Sequence, residues 1–130
     1  MDTKSLLAGA MAPLGRPGSA TYRFQLGSGL GFDQVAALVP YLEALGVTDA
    51  YLSPCFKCGP GSSHGYDVTD HNAFNPEIGS QATFDRMAAA LAERGLGVIL
   101  DIVPNHMGVA GDANPWWMDM LENGPSSPRA

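Results

Sequence analysis

Residues 96–106 read Leu-Gly-Val-Ile-Leu-Asp-Ile-Val-Pro-Asn-His, an apolar run that leads into an acid, an amide and an imidazole. Apolar residues at both alternating positions are typical of a parallel strand that is covered on both faces. Because Pro104 has no N–H and cannot continue a sheet ladder, we expect the strand to end there. Asp101, Asn105 and His106 would then lie at the carboxyl end of a buried strand, where α/β enzymes place their reactive groups.

Asp101 has two interpretations at this stage. A buried carboxylate is costly unless it is paired, so Asp101 either meets a cation or a donor or points into a polar site. The alternative is a strand-ending turn whose polar residues only satisfy backbone groups. Three polar groups in one short segment favour a site.

Two earlier strands are expected upstream of this run. Alternating residues predict one strand over 21–26, and a short apolar stretch predicts another over 50–53, with the third over 96–103. Helical segments separate the three strands, and this order predicts right-handed crossovers and a parallel sheet. All three strands would deliver their carboxyl ends to one edge, which is the candidate site.

The two helices between the strands have recognisable ends. Asp33 is expected to cap the first helix and Gly46 to end it, and Pro40 is expected either to kink this helix or to tighten its start. Ser80 is expected to cap the second helix, which would end before Gly95. The sequence thus predicts an α/β fold.

The segment from residue 54 to residue 79 is longer than a plain crossover needs, and we expect it to be an extended functional loop. Tyr66 lies between Gly65 and Asp67, where backbone freedom lets its ring turn into a cleft. The alternative for Tyr66 is a packing role over the sheet edge. His64 lies in the same loop.

Cys55 and Cys58 form a Cys-x-x-Cys pair. A zinc site needs four ligands, and His64 and His71 do not supply them at a standard spacing. A redox pair would precede a helix, whereas Gly-Pro-Gly follows here. We therefore expect two free thiols, no metal and no cofactor, with a small zinc or thiol module kept as an alternative.

A last short helix is expected after Asn114, which would cap it with Pro115 at the first position, and Asn123 would close it. Its neighbouring Trp116 and Trp117 could form a platform for a sugar. Packing of this helix onto the parent domain is the favoured interpretation.

The chain has 130 residues, of which 45% are hydrophobic and 15% charged, with a formal net charge of −6. This composition predicts a globular core. An acidic chain without a basic stripe is not expected to bind nucleic acid, and no apolar run is long enough to span a membrane. Residues 6–14 are broken by Gly9 and Pro13, so we expect a flexible terminus over 1–20 rather than a secretion signal, and a cytoplasmic location.

The segment Asp101-Ile-Val-Pro-Asn-His106 resembles the first signature region of the α-amylase superfamily, glycoside hydrolase family 13. Residues 60–68, Pro-Gly-Ser-Ser-His-Gly-Tyr-Asp-Val, and 114–125, Asn-Pro-Trp-Trp-Met-Asp-Met-Leu-Glu-Asn-Gly-Pro, are similar to the amino-terminal part of its maltooligosyltrehalose synthase branch. This resemblance implies the amino-terminal part of a TIM (β/α)8 barrel over 21–130, with about three βα units.

The same resemblance implies roles for the candidate substrate-binding residues. Tyr66 would stack on the reacting sugar, His106 would donate to its hydroxyl groups, and Asp101 would help to hold the site's arginine and neighbouring groups in place. Asn105 matches a position that ligates calcium in many amylases, although calcium is not expected in this branch. His64 and Asp67 lie in the matching loop and are included as substrate-binding candidates.

The resemblance also implies an isomerase that converts the reducing-end α-1,4 bond of a maltooligosaccharide into an α,α-1,1 bond in trehalose biosynthesis. Its nucleophile, acid/base and stabilising carboxylates would come from later strands, so no catalytic residue is expected in this chain and the isolated chain is expected to be inactive. The alternatives are part of an α-amylase or 4-α-glucanotransferase, and a non-catalytic fragment or binding module. The oligomeric state is left open.

Overall fold

A computed structural model describes residues 20–130, so the expectation of a flexible amino terminus lies outside the described residues. The elements, in chain order, are β1 (Thr21–Phe24), α1 (Phe32–Ala37), α2 (Val39–Leu45), β2 (Asp49–Leu52), β3 (Phe56–Cys58), β4 (Val68–Phe74), α3 (Gln81–Glu93), β5 (Gly97–Leu100), α4 (Pro115–Asn123) and a 3-10 turn (Gly124–Ser126).

Strands β1, β2 and β5 form a parallel sheet in that order, as the sequence predicts. The register aligns Arg23 with Tyr51 and Tyr51 with Ile99. Because side chains alternate along a strand, these three share one face of the sheet. The opposite face carries Phe24 and Leu52 into the core beneath the helices. The sheet therefore has one packed face and one face that the described residues leave largely open.

Strand β5 differs from its prediction. It ends at Leu100 rather than at Val103, and Pro104 does not set its end. Covering on both faces was also wrong for residues 20–130, because Ile99 is 41% exposed and Ile102 is 60% exposed. Pairing still reaches Asp101, whose N–H donates to the Leu52 carbonyl at 2.9 Å. The candidate acid is thus held at the strand end by the neighbouring strand.

The first helical segment also differs from its prediction, since two helices replace one kinked helix. The break lies at Leu38, and Pro40 falls in the first turn of α2, where its missing N–H is not needed. Asp33 is not the cap. Gly31 precedes α1, and its N–H binds the Gln34 side chain at 2.9 Å. Gly46 ends α2 with a positive φ of 80°, as predicted.

Helix α3 begins as predicted, with Ser80 as its cap. The Ser80 hydroxyl accepts from the Thr83 N–H at 3.4 Å, and the Ser80 N–H donates to the Thr83 hydroxyl at 2.7 Å. Loss of such a cap costs about 1 kcal/mol. We expect Ser80→Ala to lower the free energy of unfolding by about that amount in urea denaturation. Ser63→Ala, at an exposed loop position, is the control and should change the free energy of unfolding by less than about 0.5 kcal/mol. Equal losses of stability in the two variants would contradict a capping role for Ser80.

The long segment after β2 contains structure that the sequence did not predict. Strands β3 and β4 pair antiparallel, with Phe56 opposite Phe74 and Cys58 opposite Val68. Phe74 also packs against Phe32 of α1, with ring centroids 5.2 Å apart. The extended loop is therefore a hairpin fixed to the core, and the turn between its strands carries Tyr66.

Helix α4 begins as predicted, because the Asn114 carboxamide oxygen accepts from the N–H groups of Trp116 and Trp117 at 3.0 and 3.1 Å. None of its residues is fully buried within residues 20–130, so its packing onto the parent domain stays a prediction. The Trp116 ring lies 4.4 Å from the Arg129 guanidinium. None of the described helices is both long and apolar enough to cross a membrane.

Candidate functional site

The Asp101 carboxylate is the centre of a polar cluster at the carboxyl edge of the sheet. Its Oδ2 atom accepts a hydrogen bond from the Tyr66 hydroxyl at 2.6 Å and another from the Tyr51 hydroxyl at 3.2 Å. The Asp101 side chain is only 17% exposed. Both phenol groups therefore converge on one shielded carboxylate, as the paired interpretation of this acid requires.

Arg23 of β1 completes the cluster. Its Nη2 atom donates to the Tyr66 hydroxyl at 3.4 Å and lies 3.9 Å from Oδ2 of Asp101. Its Nη1 atom donates to the Gln25 side chain at 2.9 Å. The guanidinium carbon also lies 5.5 Å from the centroid of the Tyr51 ring. One cation thus contacts both phenols and approaches the carboxylate.

Arg23 and Tyr51 were not predicted as site residues from the sequence. Arg23 was recognised only as a polar position of an alternating strand, and Tyr51 only as part of a short apolar one. Both lie on the open face of the sheet together with Ile99. Asp101 follows Ile99 by two residues and is therefore directed to the same face. Aligning the first two predicted strands without a shift would have placed Arg23 beside Tyr51, so the strand register was the signal that could have revealed them.

The cluster raises the pKa of Tyr66 above its ordinary value. The main cause is the hydrogen bond to Asp101, which favours the protonated phenol beside a negative carboxylate, while Arg23 acts in the opposite direction. The hydrogen bond to Tyr66 likewise raises the pKa of Arg23. At neutral pH the site therefore holds a neutral phenol between a cation and the carboxylate.

The turn that carries Tyr66 has a fixed shape. Gly65 has φ +78°, and a Cβ atom there would lie 2.7 Å from the Pro54 carbonyl oxygen, so only glycine fits without strain. The Tyr66 N–H donates to Nδ1 of His64 at 3.0 Å. The His64 and Tyr66 rings are stacked with centroids 6.0 Å apart. His64 thus lies beside Tyr66, and its contact with a substrate stays a prediction.

Asp67 is engaged inside the same turn. Its carboxylate accepts from the Ser62 hydroxyl and lies 3.8 Å from Nδ1 of His64. Its backbone carbonyl accepts from the Gly59 N–H at 3.2 Å. These contacts make Asp67 an organiser of the turn, and its direct contact with a substrate stays a prediction.

Asn105 and His106 are exposed, and Nδ1 of His106 lies 3.2 Å from the Asn105 side-chain oxygen. Within residues 20–130 no hydrogen bond joins His106 to Tyr66 or Asp101. The segment that contains His106 nevertheless lies beside the start of β4, which follows Tyr66, because the Gly108 N–H donates to the Val68 carbonyl at 2.7 Å. The sugar contacts of His106 and Asn105 stay predictions.

The two cysteines are free and buried. Burial raises the pKa of the Cys55 thiol to about 11 and also raises the pKa of Cys58. The reactive form of cysteine is the thiolate, so we expect iodoacetamide at pH 8 to label both far more slowly in the native chain than in urea. Equal rates, followed by mass spectrometry, would contradict this. No group of three or more metal-ligating side chains occurs in the described part of the chain.

Comparison with known proteins decides the family. Residues 26–129 match the sequence profile of the α-amylase catalytic domain. The chain belongs to the α-amylase family. The resemblance noted in the sequence is thereby confirmed, and the parallel order of β1, β2 and β5 fits the α/β architecture of that family.

Individual members of the α-amylase family show where the similarity is concentrated. The chain is 44% identical over 117 residues to a putative maltooligosyl trehalose synthase of Mycobacterium tuberculosis, covering 85% of the chain and 15% of that protein. It is 39% identical over 101 residues to the alpha-amylase SusG of Bacteroides thetaiotaomicron, covering 77% of the chain and 14% of that protein.

Among solved structures, the maltooligosyltrehalose synthase of Arthrobacter ramosus superimposes with a TM-score of 0.83 at 44% identity, covering 86% of the chain and 15% of that chain. The chain therefore spans about 15% of the length of these synthases. The cluster around Asp101 consequently belongs to a segment of an α-amylase-type domain.

Proposed function

We propose that the chain is the amino-terminal part of a maltooligosyltrehalose synthase. The enzyme would convert the reducing-end α-1,4 bond of a maltooligosaccharide into an α,α-1,1 bond. The observation that carries the proposal is the hydrogen-bonded pair of Tyr66 and Asp101, which fixes an aromatic ring at the carboxyl edge of the sheet. The 44% identity to a putative maltooligosyl trehalose synthase supports this choice within the family.

The open face of the sheet is the inner face of a (β/α)8 barrel in this proposal. Arg23, Tyr51 and Ile99 line that face, and further strands would cover Ile99. Closure of the barrel would bury a face that already carries polar groups at its carboxyl end. That end is where barrel enzymes bind their substrates.

Each residue then has a physical task. The Tyr66 hydroxyl is held by Asp101, so the face of its ring is available to the C–H groups of a sugar. His106, which is exposed next to the same edge, would donate to sugar hydroxyls, and such bonds help most if they strengthen in the transition state. His64 would support the ring from the side. The substrate is a maltooligosaccharide.

The covalent chemistry needs groups outside this chain. A retaining mechanism uses two carboxyl groups about 5 to 5.5 Å apart. In the described cluster Asp101 meets phenols and a guanidinium, which suits a supporting carboxylate. The nucleophile, the acid/base and the stabilising carboxylate would come from other strands. We therefore propose that the 130 residues alone are inactive.

The test is product analysis of the full-length protein, meaning the translation product of the complete reading frame that contains these residues. With maltopentaose we expect a non-reducing isomer in which the terminal bond is α,α-1,1, detected by loss of reducing ends without loss of mass. Formation of maltose and glucose alone would overturn the synthase proposal. A complete reading frame that adds no strands able to supply the nucleophile, the acid/base and the stabilising carboxylate would overturn it as well.

An α-amylase or a 4-α-glucanotransferase is the second candidate function. Its support is the 39% identity to the alpha-amylase SusG. An α-amylase would increase the number of reducing ends in the same assay, and a glucanotransferase would redistribute chain lengths without changing that number. Both outcomes differ from the loss of reducing ends expected for the synthase.

A further inference from the structure

We propose that Arg23 and Tyr51 are positioning residues, which hold the Tyr66 hydroxyl and the Asp101 carboxylate so that the Tyr66 ring keeps one orientation toward the sugar. This inference rests on the proposed function. Neither residue lies in the sequence segments that resemble the family signatures. Both are assigned by geometry, because neighbouring strands place them side by side on the open face.

The Tyr66 hydroxyl is held from two sides in this arrangement, as a donor and as an acceptor. It donates to Asp101 at 2.6 Å and accepts from Arg23 at 3.4 Å. A phenol that is held on both sides has little freedom left about its two side-chain torsions. Fixing the ring before substrate binds removes an entropic cost from the reaction, which is how a positioning residue accelerates turnover.

Arg23 acts through its forked shape as well as its charge. One nitrogen is anchored on Gln25 at 2.9 Å, and the other reaches Tyr66. The plane between them lies over the ring of Tyr51, whose hydroxyl binds Asp101 at 3.2 Å. A lysine ammonium could supply the charge but could not make both contacts in a fixed plane. The assignment therefore predicts that lysine is a poor substitute.

A purely structural ion pair is the competing explanation. The Arg23 side chain is 40% exposed, and exposed ion pairs contribute about 0 to 1 kcal/mol to stability. Such a role predicts small and equal effects of any neutral replacement at Arg23 and at other exposed arginines. Arg86 offers the comparison, because this residue of α3 pairs with Asp33 of α1 at 3.0 Å and is 62% exposed.

The experiment compares variants of the full-length protein. We expect Arg23→Met to lower kcat about 10- to 100-fold with little change in KM, as misplacement of a group at the reacting centre does. Arg23→Lys should remain closer to Arg23→Met than to the native enzyme. Tyr51→Phe, which removes one hydroxyl, should lower kcat less. Arg86→Met is the matched control and should leave kcat unchanged.

A second measurement reports the contact itself. With 3-fluorotyrosine placed only at position 66, ¹⁹F NMR follows ionisation of that phenol. Arg23 lowers the pKa of Tyr66 and Asp101 raises it, while the His64 ring lies beside the Tyr66 ring. Arg23→Met should therefore raise the pKa at position 66 further. Local unfolding would instead return it to its ordinary value.

The outcomes separate the two proposals. The products of the native enzyme decide the proposed function, whereas the ratio of variant to native turnover, on whichever α-glucan it accepts, decides this inference. If the native enzyme turns over no glucan, the titration decides. An unchanged or lowered pKa at position 66 in Arg23→Met, or a kcat equal to that of Arg86→Met, would overturn the positioning role.

Discussion

Replacing Asp101 by asparagine is expected to lower the turnover of the full-length enzyme about 100-fold, the size of effect that follows when a reacting group is misplaced by about 1 Å. The carboxylate accepts both phenol hydroxyls through Oδ2, at 2.6 Å from Tyr66 and 3.2 Å from Tyr51. An asparagine oxygen in the place of Oδ2 carries no negative charge, so it would bind the two phenol hydroxyls more weakly and could not balance the charge of Arg23. The Tyr66 ring would then lose its fixed orientation.

The sign of the pKa change at Tyr66 distinguishes this explanation from general damage. The hydrogen bond to Asp101 is the largest cause of the raised pKa, and Arg23 opposes it. Asp101→Asn should therefore lower the pKa of Tyr66, opposite to the change expected for Arg23→Met. The measurement is the ¹⁹F titration at position 66 together with kcat for maltopentaose.

Asp33→Asn provides the matched control for this change. Asp33 also accepts a hydrogen bond from an arginine, at 3.0 Å from Arg86, but it lies in the first turn of α1 and is largely exposed. Its replacement should alter neither turnover nor the titration at position 66. Turnover of Asp101→Asn within a factor of about 3 of the native value would show that the carboxylate does not position the ring.

The sequence was sufficient for features that depend on local chemistry. Ser80 and Asn114 were predicted as caps because short polar side chains bind the free N–H groups of a first turn, and the structure confirms both. Asp101 and Tyr66 were predicted at one edge because parallel strands deliver their ends together, and the structure joins them by a hydrogen bond. The contacts of both side chains with sugar stay predictions.

Features that depend on the register or on absent neighbours were not predicted. Arg23 and Tyr51 meet only because β1 and β2 pair without a shift, and no local pattern reveals that. The hairpin of β3 and β4 was missed because most of Val68–Phe74 is polar and only partly buried. The exposure of Ile99 was not predicted, because an apolar strand sequence does not show which of its two faces is covered by residues 20–130.

The second large expected effect is a loss of stability, and it concerns the core on the packed face of the sheet. Phe32 of α1 is fully buried and contacts Phe74 of β4 and Phe84 of α3, with ring centroids 5.2 and 5.3 Å away, and those two rings also stack on each other at 4.9 Å. Its N–H also donates to the Ile78 carbonyl at 3.0 Å. This side chain therefore attaches the first helix to a three-ring cluster that also joins the hairpin and the third helix.

Phe32→Ala should remove about 3 to 5 kcal/mol of folding free energy, because a large buried ring is replaced by a cavity that three separate elements cannot all close. Hydrogen exchange of the peptides covering α1 and α3 in the full-length protein should then accelerate by more than about 100-fold. Leu45→Ala is the control, since Leu45 is 50% exposed at the end of α2. A similar acceleration in both variants would mean that the aromatic contacts do not join these elements. A loss confined to Phe32→Ala would show that the hairpin is fixed to the core, and the turn that carries Tyr66 is held in place by that attachment.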